Sequence, residues 1–153
     1  MLSSDGLGGT AILRKLIFAL AALVLCACSA DAILARYETR PETQLARESI
    51  ELLRAKNYDA VRSKLAPELR DDPEIARGMP LVAGQFPDGE PIGIDLIDYQ
   101  FTTFSPFGGQ ASTNYSIAFE YEFSDIWIVT AASLRSVNDE TSLIRIDIFR
   151  NLQ

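Results

Sequence analysis

The run at residues 114–123 limits what this chain can become more than any other. Tyr115, Ile117, Phe119, Tyr121 and Phe123 alternate with Asn114, Ser116, Ala118, Glu120 and Glu122. An unbroken period of two is a strand with one face buried. Ser124-Asp125 is short enough for a two-residue hairpin loop, and a second run follows at residues 126–135. That loop sets the register and writes down both faces. The core face joins Phe123 to Ile126, Tyr121 to Ile128, Phe119 to Thr130, Ile117 to Ala132 and Tyr115 to Leu134. The outer face joins Glu122 to Trp127, Glu120 to Val129, Ala118 to Ala131, Ser116 to Ser133 and Asn114 to Arg135.

Two further strands extend the pair. Asn138-Asp139-Glu140 turns the chain into residues 143–150, where Ile144, Ile146 and Ile148 are expected in the core and Arg145, Asp147 and Phe149 opposite. Upstream, Ile92, Ile94 and Leu96 alternate, then the alternation slips by one to Ile97, Tyr99 and Phe101. Such a slip predicts a bulge near Leu96 or a strand buried on both faces. Ser105-Pro106-Phe107-Gly108-Gly109 is the turn between these strands.

Helices precede the strands. Pro41 suits a first helical turn, with Glu42 at the positive end of the macrodipole. Leu45, Ile50, Leu52 and Leu53 form a stripe, and Arg47, Glu48, Glu51 and Arg54 lie on the opposite side. Asn57 ends that helix, and Asp59 is the expected cap of a short second one carrying Ala60, Val61 and Leu65. Asp72-Pro73-Glu74 starts a third, running to about Val82 with Gly84 as its stop. Helices gathered first and an antiparallel meander gathered last make an α+β domain: N-terminal helices on one face of a curved antiparallel sheet of about four strands.

Ahead of all this lies an address. Arg14 and Lys15 precede the apolar run that begins at Leu16, and small residues close it, the layout of a secretory signal peptide. From Leu16 to Cys28 the run is shorter than the ~20 residues a span needs. Its tail, Leu25-Cys26-Ala27-Cys28, resembles a bacterial lipobox, which implies diacylation of Cys28 as the new N-terminus; Leu25 makes Cys26 a poor alternative. The same resemblance implies effectively permanent anchoring to a membrane of the envelope, with an ordinary cleaved signal peptide as the alternative; Ser29 in place of Asp favours the outer membrane facing the periplasm, with Asp31 as weak counter-evidence. The expected organisation is a signal peptide at 1–27, a tether at 28–40 without fixed structure before about Glu38, and a domain at 41–153.

Composition removes several chemistries. Loss of Arg14, Lys15 and Asp5 with the leader leaves 12 basic and 20 acidic residues, which argues against nucleic acid. Cys26 and Cys28 are the only cysteines, so the domain must stand on its core. There is no histidine, hence no imidazole base, zinc ligand or triad member.

Leu52-Leu53-Arg54-Ala55-Lys56-Asn57-Tyr58-Asp59-Ala60-Val61, then Leu65-Ala66-Pro67-Glu68-Leu69-Arg70, together with Tyr121-Glu122-Phe123, Trp127 and Ile146-Asp147-Ile148-Phe149, resemble NTF2-like or cystatin-like small domains, including families of bacterial lipoproteins. The resemblance covers most of residues 41–150. It implies a curved sheet wrapped around helices, often with an apolar pocket and often a homodimer through the sheet. Enzymes of the superfamily, such as the ketosteroid isomerase-like and polyketide cyclase-like members, place an acidic or histidine base in the pocket, and the core face written above holds no carboxylate.

The candidate sites follow. Tyr58, Tyr99, Tyr115, Phe119 and Tyr121 are candidates to line a pocket for a small apolar ligand, against the plainer reading of an aromatic core. Trp127, Val129 and Phe149 should meet on the outer face as an association patch for a second copy or an envelope protein. Glu120 and Glu122 share that face, but without His or Cys they are read as solvated, and no metal or cofactor is expected. The leading expectation is a non-enzymatic, lipid-anchored binding or scaffolding protein. The alternative is a pocket enzyme with Asp95 or Asp98 as base, which requires one of them to be deeply buried.

Overall fold

The structure, a computed structural model, describes residues 32–150. The leader, Cys28 and the beginning of the tether lie outside the described residues. A helix over residues 32–38, α1, is followed by α2 (Pro41–Arg54), α3 (Tyr58–Lys64), a 3-10 turn (Pro67–Leu69) and α4 (Pro73–Ala83). The strands come next: β1 (Gly93–Phe104), β2 (Ser112–Glu122), β3 (Trp127–Val137) and β4 (Glu140–Arg150), in one open antiparallel sheet of order β1-β2-β3-β4. The α+β arrangement, helices first and meander last, is as the sequence predicts. The tether is a correction: residues 32–38 are helical, and the Tyr37 ring stacks on Tyr99 at 4.2 Å between centroids.

The central hairpin has the predicted register throughout, from Asn114 opposite Arg135 to Glu122 opposite Trp127. Phe123 N–H donates to Ile126 O at 2.9 Å across the two-residue loop. Ile117, Phe119, Tyr121, Ile128, Thr130 and Ala132 are sealed from solvent. In β1 the register shifts between Leu96 and Asp98, so Ile97 is the bulge residue, and Ile94, Leu96, Tyr99 and Phe101 share the core face of the sheet.

The last strand departs from expectation. Asn138 and Asp139 both take positive φ, 53° and 64°, and close a two-residue hairpin, so β4 starts at Glu140. A second register shift, between Ser133 and Leu134 on β3, puts Leu143 opposite Leu134 and leaves Ile144 as the extra residue. Leu143 is therefore buried where Ile144 was expected, and Ile144, Ile146 and Ile148 are only half-buried at the sheet edge. A one-residue insertion is invisible to alternation when both candidates are apolar.

Helix α2 supplies the other half of the core with a different stripe from the expected one. Thr43, Ala46, Ser49, Ile50 and Leu53 are buried, whereas Leu45 and Leu52 are half-buried. Small residues at 43, 46 and 49 let the helix approach the sheet closely, and the Ser49 hydroxyl donates to Leu45 O at 2.7 Å. Close approach is why Arg47 and Glu51, expected on the far side, end beside the sheet. The helix stops in a Schellman arrangement: Lys56 N–H donates to Leu53 O and Asn57 N–H to Leu52 O, both at 2.9 Å, with Lys56 at φ 59°. Asn57, not Asp59, then caps α3, its side chain accepting from Ala60 N–H at 3.3 Å. Asp72 caps α4 as predicted, accepting from Glu74 N–H at 2.8 Å. Ala66 N–H donates to Leu143 O at 2.9 Å, fastening the end of α3 to the edge of β4.

Candidate functional site

Between α4 and the β4 edge lies an apolar pocket of about 170 Å³. Leu53 of α2, Val61 of α3 and Leu65 close one side; Ile75, Gly78, Met79 and Val82 of α4 form the opposite wall; Leu143, Ile144 and Ile146 come from β4. Arg145, the one charged residue of the lining, is paired with Asp147 at 2.6 Å. The β4 bulge is what lets the adjacent residues Leu143 and Ile144 both line the pocket, Leu143 buried and Ile144 half-buried.

Gly78 is the informative lining residue. It sits mid-helix, where glycine costs about 1 kcal/mol relative to alanine. Nothing lies within 4 Å of where its Cβ would be, so neither close approach nor backbone conformation requires glycine there. The room beside α4 would narrow with any other side chain. Pro80 follows two positions later inside the same helix, removing a backbone donor. Glycine and proline together make α4 an intrinsically weak helix.

The predicted pocket-lining aromatics do not converge on that pocket. Phe119 and Tyr121 are buried under α2, Tyr99 and Tyr115 are half-buried toward the β1–β2 end of the sheet, and Tyr58 starts α3. They are core and rim: Arg47 of α2 lies over the Phe119 ring and Glu42 of α2 accepts from Tyr99, while the pocket opens between α4 and β4. Nothing in the alternation of single strands identifies which strand meets α4. The signal that was available is the glycine within a helical segment.

A polar seam runs between α2 and the sheet, with Glu42 and Glu51 supplied by the helix and Glu90 by the connection ahead of β1. The Tyr99 hydroxyl donates to Glu42, the Arg47 guanidinium lies 5.2 Å from the centre of the Phe119 ring, and Arg54 bonds Glu90 at 2.6 Å. The Tyr121 hydroxyl and Glu51 Oε1 are both shut away from solvent. Glu51 is near enough to weigh on the Tyr121 phenol, yet no hydrogen bond of ordinary geometry joins them. Burial first, and the Glu51 charge second, push the Tyr121 phenol well above the usual tyrosine range. Tyr99 is raised in the same direction by burial and by its bond to Glu42. The sheet's core face has no carboxylate, as read from sequence; Glu51 reaches it from α2.

Asp95 and Asp98 are not in either place. Asp95 is exposed, paired with Glu120 on the outer face; Asp98 is half-buried and accepts from the Gln100 amide at 2.8 Å. Among the described residues no three side chains of metal-ligand type cluster. On the outer face Val129 stands directly opposite Phe149, and Trp127, Val129, Phe149, Glu120 and Arg150 line one shallow hollow, so the three predicted patch residues do meet.

No family model, no curated protein and no solved structure matches this chain. The site is therefore read from its own chemistry. An apolar hollow of this size suits a small hydrophobic molecule: an engineered cavity of about 150 Å³ takes up benzene.

Proposed function

We propose that this chain is a lipid-anchored protein of the bacterial cell envelope whose domain is an NTF2-like or cystatin-like roll that binds a small apolar ligand without transforming it. Gly78 carries this reading, a residue unfavourable to its helix and required by no contact, facing space that a side chain would occupy. A pocket walled by Leu, Ile, Val and Met offers desolvation as its main source of affinity. The weak α4 helix is the wall that can yield when the ligand enters. The anchor is supported by the charged, apolar and small-residue order of residues 14–28 and by Cys28. The seam of Glu51 and Tyr121 lies under α2 and outside the pocket lining, and Asp95 and Asp98 lie on the outer face, so the isomerase-like alternative has no base in the hollow.

The test is native mass spectrometry of the full chain taken from envelope extract. Acyl mass on Cys28 and a retained small molecule are expected, the second absent in Gly78→Leu. Full-length unacylated protein in the cytosol would remove the anchor. Equal retention by Gly78→Leu would remove the pocket.

The outer face favours a second contact. Trp127, Val129 and Phe149, two of them exposed and all three adjacent, are the surface through which a second copy or an envelope protein would dock.

A further inference from the structure

The end of the β1–β2 hairpin is unlike the rest of the surface. Phe101 is 59% exposed, Phe104 63%, and Phe107 stands fully in solvent. No charged residue occurs from Tyr99 through Phe119, in a chain of which 23% is charged. A solvent-facing hairpin with aromatic side chains and no charge is expensive in water and suited to the boundary between lipid headgroups and acyl chains.

The described chain enters the domain near that same end. Glu42, at the start of α2, bonds Tyr99, while Arg54, at its end, bonds Glu90 ahead of β1, so α2 runs away from the hairpin tip. Tyr37 stacks on Tyr99, and Tyr99 packs edge-on to Phe101 and Tyr115 with centroids 6.4 and 6.2 Å away. The polypeptide therefore joins the domain on the tip-proximal half of the sheet. Cys28 lies nine residues before Tyr37. That stretch spans at most about 30 Å even when extended. The other connection at this end, Asn138-Asp139 before Glu140, is acidic but only two residues long, whereas residues 105–111 carry the β1–β2 tip further out. The uncharged tip is the part that reaches outward.

We infer that the β1–β2 hairpin, through Phe101, Phe104 and Phe107, dips into the interface of the membrane to which Cys28 anchors the chain. This rests on the lipid-anchor reading and adds an orientation to it: the domain stands with the β1–β2 connection toward the lipid and the β2–β3 loop away from it. Trp127, beside that distal loop, stays clear of the bilayer.

The native chain contains a single tryptophan, which makes the test direct. The acylated full chain is reconstituted in phosphatidylethanolamine and phosphatidylglycerol vesicles with and without bromolipid. Two proteins are compared, the native chain and the double variant Trp127→Phe with Phe107→Trp. Bromolipid is expected to cause a loss of fluorescence in the double variant and none in the native chain, and adding Phe104→Ser should lessen the loss. An unquenched double variant that floats with the vesicles overturns the inference. So does a signal that responds only when envelope proteins are added, which would make the tip a protein contact. The anchor is judged separately by flotation of Cys28→Ser. If that chain floats as the native one does, the anchor reading fails, and quenching still decides the hairpin. If neither chain floats, both fail.

Discussion

The Tyr99 hydroxyl donates its hydrogen bond to the Glu42 carboxylate, joining the first turn of α2 to the middle of β1. With the Tyr37 ring stacked on its face, Tyr99 is the point where three segments distant in sequence are tied. The bond also satisfies a carboxylate at the positive end of a helix, where negative charge is favoured.

Removing that phenol should be felt. Tyr99→Phe keeps the ring stack and deletes a charge-assisted hydrogen bond, which is expected to cost about 1 to 2 kcal/mol in urea unfolding. Tyr121→Phe should behave differently, because its buried hydroxyl lies near Glu51 without a hydrogen bond of ordinary geometry. Loss of an unsatisfied buried group is neutral or stabilising. Equal losses in the two variants would contradict the assignment.

Alkaline pH separates the same residues. The folded state holds Tyr121 protonated above the pH at which a free tyrosine, with a pKa near 10, ionises. Below that value both states carry the proton and stability is independent of this group. Above it the unfolded chain releases its proton first, so stability falls as pH rises, by at most about 1.4 kcal/mol per pH unit per fully buried tyrosine. Tyr99 contributes in the same direction, weakened by solvent. Denaturation midpoints measured from pH 8 to 11 should therefore drop above about 10, and Tyr121→Phe should reduce the drop.

Lys56 occupies a left-handed backbone conformation at the end of α2. A side chain there costs roughly 1 kcal/mol that glycine avoids. Lys56→Gly is expected to raise stability by about 0.5 to 1 kcal/mol after the greater freedom of unfolded glycine is allowed for. A lower urea midpoint would show that the lysine side chain makes a contact of its own.

Gly78 divides stability from binding. Gly78→Ala should stabilise α4 by about 0.5 to 1 kcal/mol, since the new methyl meets nothing. Gly78→Leu should keep the fold while losing uptake of a fluorescent apolar probe. Undiminished uptake in Gly78→Leu would move the ligand elsewhere.

Trp127→Glu tests the outer face. The full chain in detergent is expected to sediment as a dimer and the variant as a monomer, because a carboxylate placed beside Val129 and Phe149 cannot be buried unpaired. A monomer in both cases ends the idea of self-association there.

What the sequence determined by itself was local and periodic. The alternation of residues 114–123 and a two-residue loop settled the whole β2–β3 register, since side chains in a strand have only two faces to choose from. The slip near Leu96, the Asp72 cap and the order of helices before strands were legible for the same reason. Tertiary structure decided what no local period encodes. Whether Leu143 or Ile144 enters the core depends on a bulge opposite β3, as both residues are apolar. That Arg47 and Glu51 meet the sheet depends on how closely small residues let α2 approach. The hollow beside Gly78 exists because α4 packs on β4 and not on the aromatic strands, a choice made by long-range contacts competing for one apolar surface.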